Sequence, residues 1–214
     1  MATIKRGILG GGSGSVANVV MTAWKGIAVI KSKPLSVANP ESPAQNSQRG
    51  KFSGVVAIAQ YILSSIIQPV WNGFAQTMSG YNLFVKNNVM IAFNDAGVFQ
   101  ANSLEISPKD GTTTPITSVA ATNGSTDVNI HFSDDILGSD QMQSDKPFGV
   151  VCNPSGYVLG SVEPTSDRTE ESLIINLNRP LVTGEIIHVY LAFVSADKKR
   201  AFRTAHVQKV VTAA

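Results

Sequence analysis

No charged side chain occurs between Lys51 and Lys86, a neutral run of 34 residues in a chain of 214. A segment of that kind belongs in lipid or against other protein. A membrane-spanning helix needs about 20 mostly apolar residues. The most apolar stretch, Val55 to Val70, is shorter and contains Gln60, Ser64, Ser65, Gln68 and Pro69. Phe52, Val55, Val56, Ala59, Ile62, Leu63, Ile66 and Ile67 recur at i, i+3, i+4 spacing, while Ser53, Gln60 and Ser64 mark another face. Lipid would favour apolarity all round. The pattern therefore predicts a helix with one face buried against a core or a partner. A membrane-associated role for the 52–85 stretch is kept only as a competing reading.

The helical zone is expected over residues 43–90. Ser42-Pro43 reads as an N-cap followed by proline in the first turn, where its missing N–H does no harm. The first helix should run to about Gln68, where Pro69 stops it. Shorter helices are expected over Trp71–Thr77 and, after Ser79-Gly80, over Tyr81–Asn87.

Charge is distributed unevenly around this zone. Residues 1–51 hold Lys5, Arg6, Lys25, Lys31, Lys33, Arg49 and Lys51 against Glu41 alone, whereas residues 52–214 carry ten basic and fourteen acidic residues. Residues 1–42 read as a Gly-rich basic arm. Val16 to Trp24 fits both a strand and a helix by periodicity, but its β-branched content, its flanking glycines and the run Ile27-Ala28-Val29-Ile30 favour a β-hairpin turning at Lys25-Gly26. Residues 32–47, with Pro34, Pro40 and Pro43, read as an extended linker. An arm of this length without a core of its own needs something to hold it.

The arm carries two false signals. Gly12-Ser13-Gly14-Ser15-Val16-Ala17 matches a loose dinucleotide loop, but too little chain precedes it for a full strand, and Lys31 and Lys33 stand where an acidic residue should be. Lys5-Arg6 before Ile8-Leu9 suggests a signal peptide, which Gly10-Gly11-Gly12 interrupts, so none is expected. Seven cations over 51 residues, interleaved only by Trp24, is sparse for nucleic acid. An acidic neighbouring subunit is the expected counterpart of the arm.

Residues 91–214 alternate as strands do. Leu104/Ile106, Val128/Ile130/Phe132, Leu173/Ile175/Leu177 and Ile187/Val189/Leu191/Phe193 each make an apolar face. Turn signals separate the runs at Asn123-Gly124, Asn153-Pro154-Ser155-Gly156, Arg179-Pro180 with Thr183-Gly184, and Ala196-Asp197-Lys198. About seven short strands is the pattern of an immunoglobulin-like sandwich. This part contains no Trp, so the Cys…Trp…Cys hallmark of antibody domains is missing. The fold class expected is α+β: an N-terminal β-arm or hairpin (1–42), a small helical segment (43–90) and a C-terminal immunoglobulin-like antiparallel β-sandwich (91–214).

No constellation for chemistry emerges. Cys152 is the single cysteine and alternates with Phe148 and Val150, as a small buried hydrophobe does. His131 should face solvent, and His188 and His206 fall in separate strands with no metal-ligand spacing. Asp134, Asp135, Asp140 and Asp145 crowd the Ser133–Pro147 loop without the register of a calcium loop, and read as a solvated acidic loop. No G-x-S-x-G elbow is present. The expectation is no enzyme, no catalytic residue, no cofactor and no metal.

The string Ser42-Pro43-Ala44-Gln45-Asn46-Ser47-Gln48-Arg49-Gly50-Lys51-Phe52 resembles the "TPAQ…QR.KF" element of small structural proteins of phages. Trp71-Asn72-Gly73-Phe74-Ala75 and Gly80-Tyr81-Asn82-Leu83-Phe84, with Asn87-Asn88, resemble a second element of the same proteins. The opening Ile4-Lys5-Arg6-Gly7-Ile8-Leu9-Gly10-Gly11 and Trp24-Lys25-Gly26 are similar to an uncharacterised family of Bacteroidetes-type bacteria and their phages. The resemblance covers the first 90 residues. It implies a non-enzymatic virion component (capsid decoration, neck or tail), made in the bacterial cytoplasm, whose partners are its own copies and neighbouring virion proteins. Trp24, Arg49, Phe52, Val56, Ile62, Ile66 and Trp71 are the expected subunit interface. The competing reading is a carbohydrate- or cell-surface-binding sandwich module.

Overall fold

The computed structural model describes residues 2–4, 14–24, 27–34, 36, 39, 41–108, 111–133 and 141–213. The chain divides into two compact units, Met1–Ser42 and Pro43–Ala214.

The first unit is one antiparallel sheet. Its strands are β1 (Ala2–Ile4), β2 (Gly14–Val16), β3 (Val19–Trp24) and β4 (Ile27–Ser32), in the order β1-β4-β3-β2. The β-branched run expected as one strand is cut by a two-residue turn at Ala17-Asn18, with Val16 facing Val19 and Ala17 at φ 49°. β3 and β4 pair from Val19↔Ser32 to Trp24↔Ile27, which is the expected hairpin; Lys25 and Gly26 themselves lie outside the described residues.

The second unit opens with α1 (Pro43–Tyr61), which takes up residues expected in the linker. Beyond Tyr61 the backbone widens instead of continuing as α-helix. Ile67 N–H donates to the Ile62 carbonyl and Gln68 N–H to that of Leu63, a π-type turn over Leu63–Ile67. The extra residue per turn leaves Ile62, Ile66 and Ile67 all fully buried. After a short 3₁₀ turn at Trp71–Gly73 comes α2 (Gly80–Asn88), capped by Ser79, whose hydroxyl accepts from Asn82 N–H at 3.2 Å. A Cβ on Gly80 would stand 2.7 Å from the Asn72 backbone nitrogen, so the approach of α2 to the preceding turn requires glycine.

Among the described residues seven strands follow: β5 (Ile116–Ala120), β6 (Asp127–Phe132), β7 (Lys146–Cys152), β8 (Val158–Val162), β9 (Ser172–Asn176), β10 (Ile186–Val194) and β11 (Ala205–Val210). They form two antiparallel sheets, β5-β6-β9 and β11-β10-β7-β8. Leu104 and Ile106 were expected in a strand and are not in one. They are buried in irregular chain, where the Ile106 carbonyl accepts from Trp71 Nε1 at 2.9 Å.

Two cores flank the four-stranded sheet. Val128, Ile130, Phe132, Leu173 and Ile175 of the three-stranded sheet pack against Val151, Leu159, Ile187, Val189, Leu191 and Phe193. On the other face Phe148, Val150, Cys152, Tyr190, Ala192 and Val194 pack against Val55, Ile58, Ala59, Ile62, Trp71 and Phe84. The order of layers is helices, four-stranded sheet, three-stranded sheet. The helical segment is thus not a body apart from the strands; it completes their second core. The sheet edges are joined as well: Asn178 N–H donates to the Leu159 carbonyl, and Thr212 lies in a parallel bridge with Thr122. Each join pairs edge groups that would otherwise be open to another strand.

Candidate functional site

α1 sorts the expected interface residues into two sets. Lys51, Val55, Ile58, Ala59 and Ile62 turn inward, and the Lys51 ammonium pairs with Asp95 on the loop behind it. Arg49 is exposed, Phe52 is 52% exposed and Val56 is half-buried. Ile62, Ile66 and Trp71 are at 0% exposure inside the chain's own core, which takes them out of any subunit surface. The apolar stripe at helical spacing marks an intramolecular contact, because the outer face of a two-sidedly buried sheet needed a cover. No helix among the described residues is long and apolar enough to cross a membrane. Trp24 lies at the end of β3, and its side chain is outside the described residues.

The N-terminal sheet behaves differently. Among its described residues no side chain is buried: Val16 is 68% and Val19 37% exposed, while Val20, Met21, Thr22, Ala28, Val29 and Ile30 are half-buried. Cross-strand register puts Ala2, Ile30 and Met21 in one row and Thr3, Val29 and Thr22 in the next. Adjacent rows point to opposite faces, so both faces carry apolar or β-branched side chains. Lys31 and Lys33 add exposed positive charge at the end of β4.

The densest polar cluster lies on the helix-facing side of the four-stranded sheet. In register, Cys152 on β7 is opposite His188 on β10, and His206 on β11 is opposite Tyr190. His188 Nδ1 is 3.1 Å from His206 Nε2, the two rings stack at 5.3 Å, and the Tyr190 ring lies 4.8 Å from His206. Phe99 covers His188 edge-on, and the Tyr190 hydroxyl donates to the Ala101 carbonyl at 2.8 Å. Burial pushes the Cys152 thiol and the Tyr190 phenol well above their ordinary values. Burial lowers His188; burial, and then His188, lower His206 to about 4. One imidazole N–H therefore lies between two neutral rings at neutral pH, beside a thiol that resists becoming a thiolate. That arrangement suits packing and hydrogen bonding rather than nucleophilic attack.

Sequence spacing places His188 and His206 in separate strands, as the structure does, but gives no sign that they meet. They sit on adjacent strands, diagonal to one another, a relation fixed only by the β10–β11 register. His131 is half-buried, beside the buried Ile130 and Phe132. Among the described residues no group of three or more His, Cys, Asp or Glu is placed to hold a metal. Asp134, Asp135 and Asp140 lie outside the described residues. Asp145 departs from the solvated loop expected: it is fully buried, and its Oδ2 accepts from Met142 N–H at 2.7 Å. Gly14–Val16 forms β2 rather than leading into a helix, so the described part of the apparent dinucleotide loop lacks the required context.

Three solved structures resemble parts of the chain. The adhesin domain of Epf from Streptococcus pyogenes matches at 15% identity and TM-score 0.36, over 48% of this chain and 33% of that one. The BSP domain of a biofilm associated protein matches at 17% identity and TM-score 0.31, over 48% of this chain and 15% of that one. A fibronectin type-III domain of human fibronectin type III domain containing protein 3 matches at 11% identity and TM-score 0.30, over 50% of this chain and 94% of that one. This chain thus spans about a third of the Epf chain and less of the biofilm protein. No curated protein matches it in sequence. A model described as a family of unknown function, DUF6266, matches residues 11–207, covering most of both units, and the chain belongs to that family.

Proposed function

We propose that the protein is a non-enzymatic structural subunit that assembles with copies of itself through its N-terminal sheet. The observation that carries this reading is a four-stranded sheet without a buried side chain among its described residues, although apolar residues occupy both faces. A sheet needs a face packed against another layer to be stable. Charge supports the same occupant: residues 1–42 carry five basic residues against Glu41 alone, and residues 43–214 carry twelve basic against fourteen acidic residues, so one copy's N-terminal unit and another copy's C-terminal unit attract. The C-terminal unit is proposed as an immunoglobulin-like sandwich whose second face is closed by its own helices. The phage-like motifs at residues 42–88 favour a virion as the setting. The enclosed His188/His206 pair and the shielded thiol support a role without catalysis.

Sedimentation velocity of the full chain over a range of concentrations tests the reading. Self-association that weakens with added salt and is abolished by Met21→Lys is the expected result. A monomer at every concentration overturns it. The virion setting is tested by mass spectrometry of purified phage particles, and absence of the chain from them removes that part.

A further inference from the structure

Two exposed tyrosines lie at the start of β8 in the second unit. Tyr157, just ahead of β8, is 58% exposed, and Tyr61, the last residue of α1, is 39% exposed. Tyr157 is held out by a built turn. Asn153 Oδ1 accepts from the N–H groups of Ser155 and Tyr157 at 3.0 and 2.9 Å, and Gly156 supplies the positive φ of 81°. Tyr61 is fixed through its hydroxyl, which donates to the Leu159 carbonyl at 3.4 Å and bonds the Asn178 side chain. That contact sets the Tyr61 hydroxyl against a β8 carbonyl two residues along the chain from Tyr157, and burial, then Tyr157, raise its pKa.

The same edge continues into a cleft of about 380 Å³ lined by Ser64, Ser65, Ser161, Val162 and Glu163. Ser65 and Ser161 hydroxyls are 2.9 Å apart and tie the π-type turn to β8. At the rise of a strand, Tyr157 and Ser161 are about 13 Å apart. The surface thus runs from rigid aromatic faces to a band of hydroxyl, amide and carboxylate groups.

That combination selects a ligand. A pyranose ring presents an apolar C–H face, which stacks on the electron-rich face of tyrosine, and a rim of hydroxyls that both donate and accept. Serine hydroxyls, the Asn178 amide and the Glu163 carboxylate answer that rim. Among the described residues lining the cleft there is no lysine or arginine, so an anionic ligand finds no countercharge. At the Tyr157 end of β8 the Leu159 carbonyl accepts from Asn178 N–H and the Val158 carbonyl from the Asn178 side chain, so these two groups are not offered to an extended peptide. We propose that Tyr61, Tyr157, Asn178 and the Ser65–Ser161–Glu163 cleft form a binding site for a neutral polysaccharide. All of its residues belong to the second unit, and it holds or fails independently of the assembly reading.

Calorimetric titration of the full chain with cellohexaose, laminarihexaose and chitohexaose tests the site. Binding of at least one of them is expected, weakened about tenfold or more by Tyr157→Ala. Because Tyr157 is exposed, its variant should keep the wild-type unfolding midpoint and oligomeric state. Tyr61→Phe, which keeps the ring, should weaken binding less than Tyr61→Ala. The proposal is overturned if none of the three sugars binds, or if Tyr157→Ala binds as the wild type does.

Discussion

His188 and His206 share one hydrogen bond across β10 and β11, Nδ1 to Nε2 at 3.1 Å, with their rings stacked under Phe99. Burial favours the neutral form of both rings, and protonating both would put two positive charges against each other in a partly buried site.

Acid should therefore loosen the second unit. Burial, and then His188, hold His206 at about 4, below the ordinary 6.5, so the unfolded chain binds the proton more readily than the folded one. The stabilisation is fully present above pH 6.5 and is lost as pH falls from 6.5 towards 4. The expected loss is about 1–2 kcal/mol, after discounting for solvent around the ring. Urea midpoints measured across this range should show the slope, and His206→Asn should flatten it. An unchanged slope in the variant would show that the pair is not its source.

Cys152 lies opposite His188 and is fully buried, with its thiol raised by desolvation. It should not react with a thiol-specific disulfide reagent at pH 8 in the native state and should react fully in denaturant. Rapid native labelling would contradict the packing described. The shift also predicts a loss of stability as pH rises past about 9, because the unfolded thiol ionises there while the folded one stays protonated.

Trp71 joins the helical layer to the loop ahead of the sandwich. Its indole N–H donates to the Ile106 carbonyl, and its ring meets Phe84 edge-on at 5.2 Å. Trp71→Ala should lower unfolding free energy by about 3–5 kcal/mol by denaturant titration. Trp71→Phe, which keeps most of the volume but leaves a carbonyl unpaired, should lose less. An effect below about 1 kcal/mol for the alanine variant would contradict full burial.

Two glycines should respond in opposite directions. A Cβ on Gly160 would strike the Asn176 carbonyl where β8 passes β9, so Gly160→Ala should destabilise by about 1–3 kcal/mol. Gly50, on the exposed side of α1, has nothing within 4 Å of an added Cβ. Gly50→Ala should stabilise by about 0.5–1 kcal/mol through helix propensity and reduced unfolded-state entropy. Paired thermal unfolding of the two variants checks both signs.

Much of the fold was legible because it depends on local rules. Period-two alternation located β6, β9 and β10, since their inner faces meet one core. Ser42-Pro43 marked the start of α1, and Ser79-Gly80 that of α2, because capping and φ restrictions act over a few residues. The neutral run was correctly read as a helix with one buried face. Periodicity left open whether that face meets a core or a partner, and placing Ile62, Ile66 and Trp71 at a subunit interface overlooked a signal: β7 reads Phe148-Gly149-Val150-Val151-Cys152 and β10 reads apolar on both alternations apart from His188, as strands covered on two sides do.

The sequence by itself determined where α1 and α2 begin, where β6, β9 and β10 lie, which face of α1 is apolar and how charge divides along the chain, because spacing, capping and composition act within one segment. Tertiary structure alone decided what those faces touch. It turned the Ile62–Ile66–Trp71 stripe inward, brought His188 to His206 through a strand register, and set the Tyr61 hydroxyl at the end of α1 against the Leu159 carbonyl of β8. Such meetings depend on how separate elements pack around two cores, and no local periodicity encodes the partner an element finds.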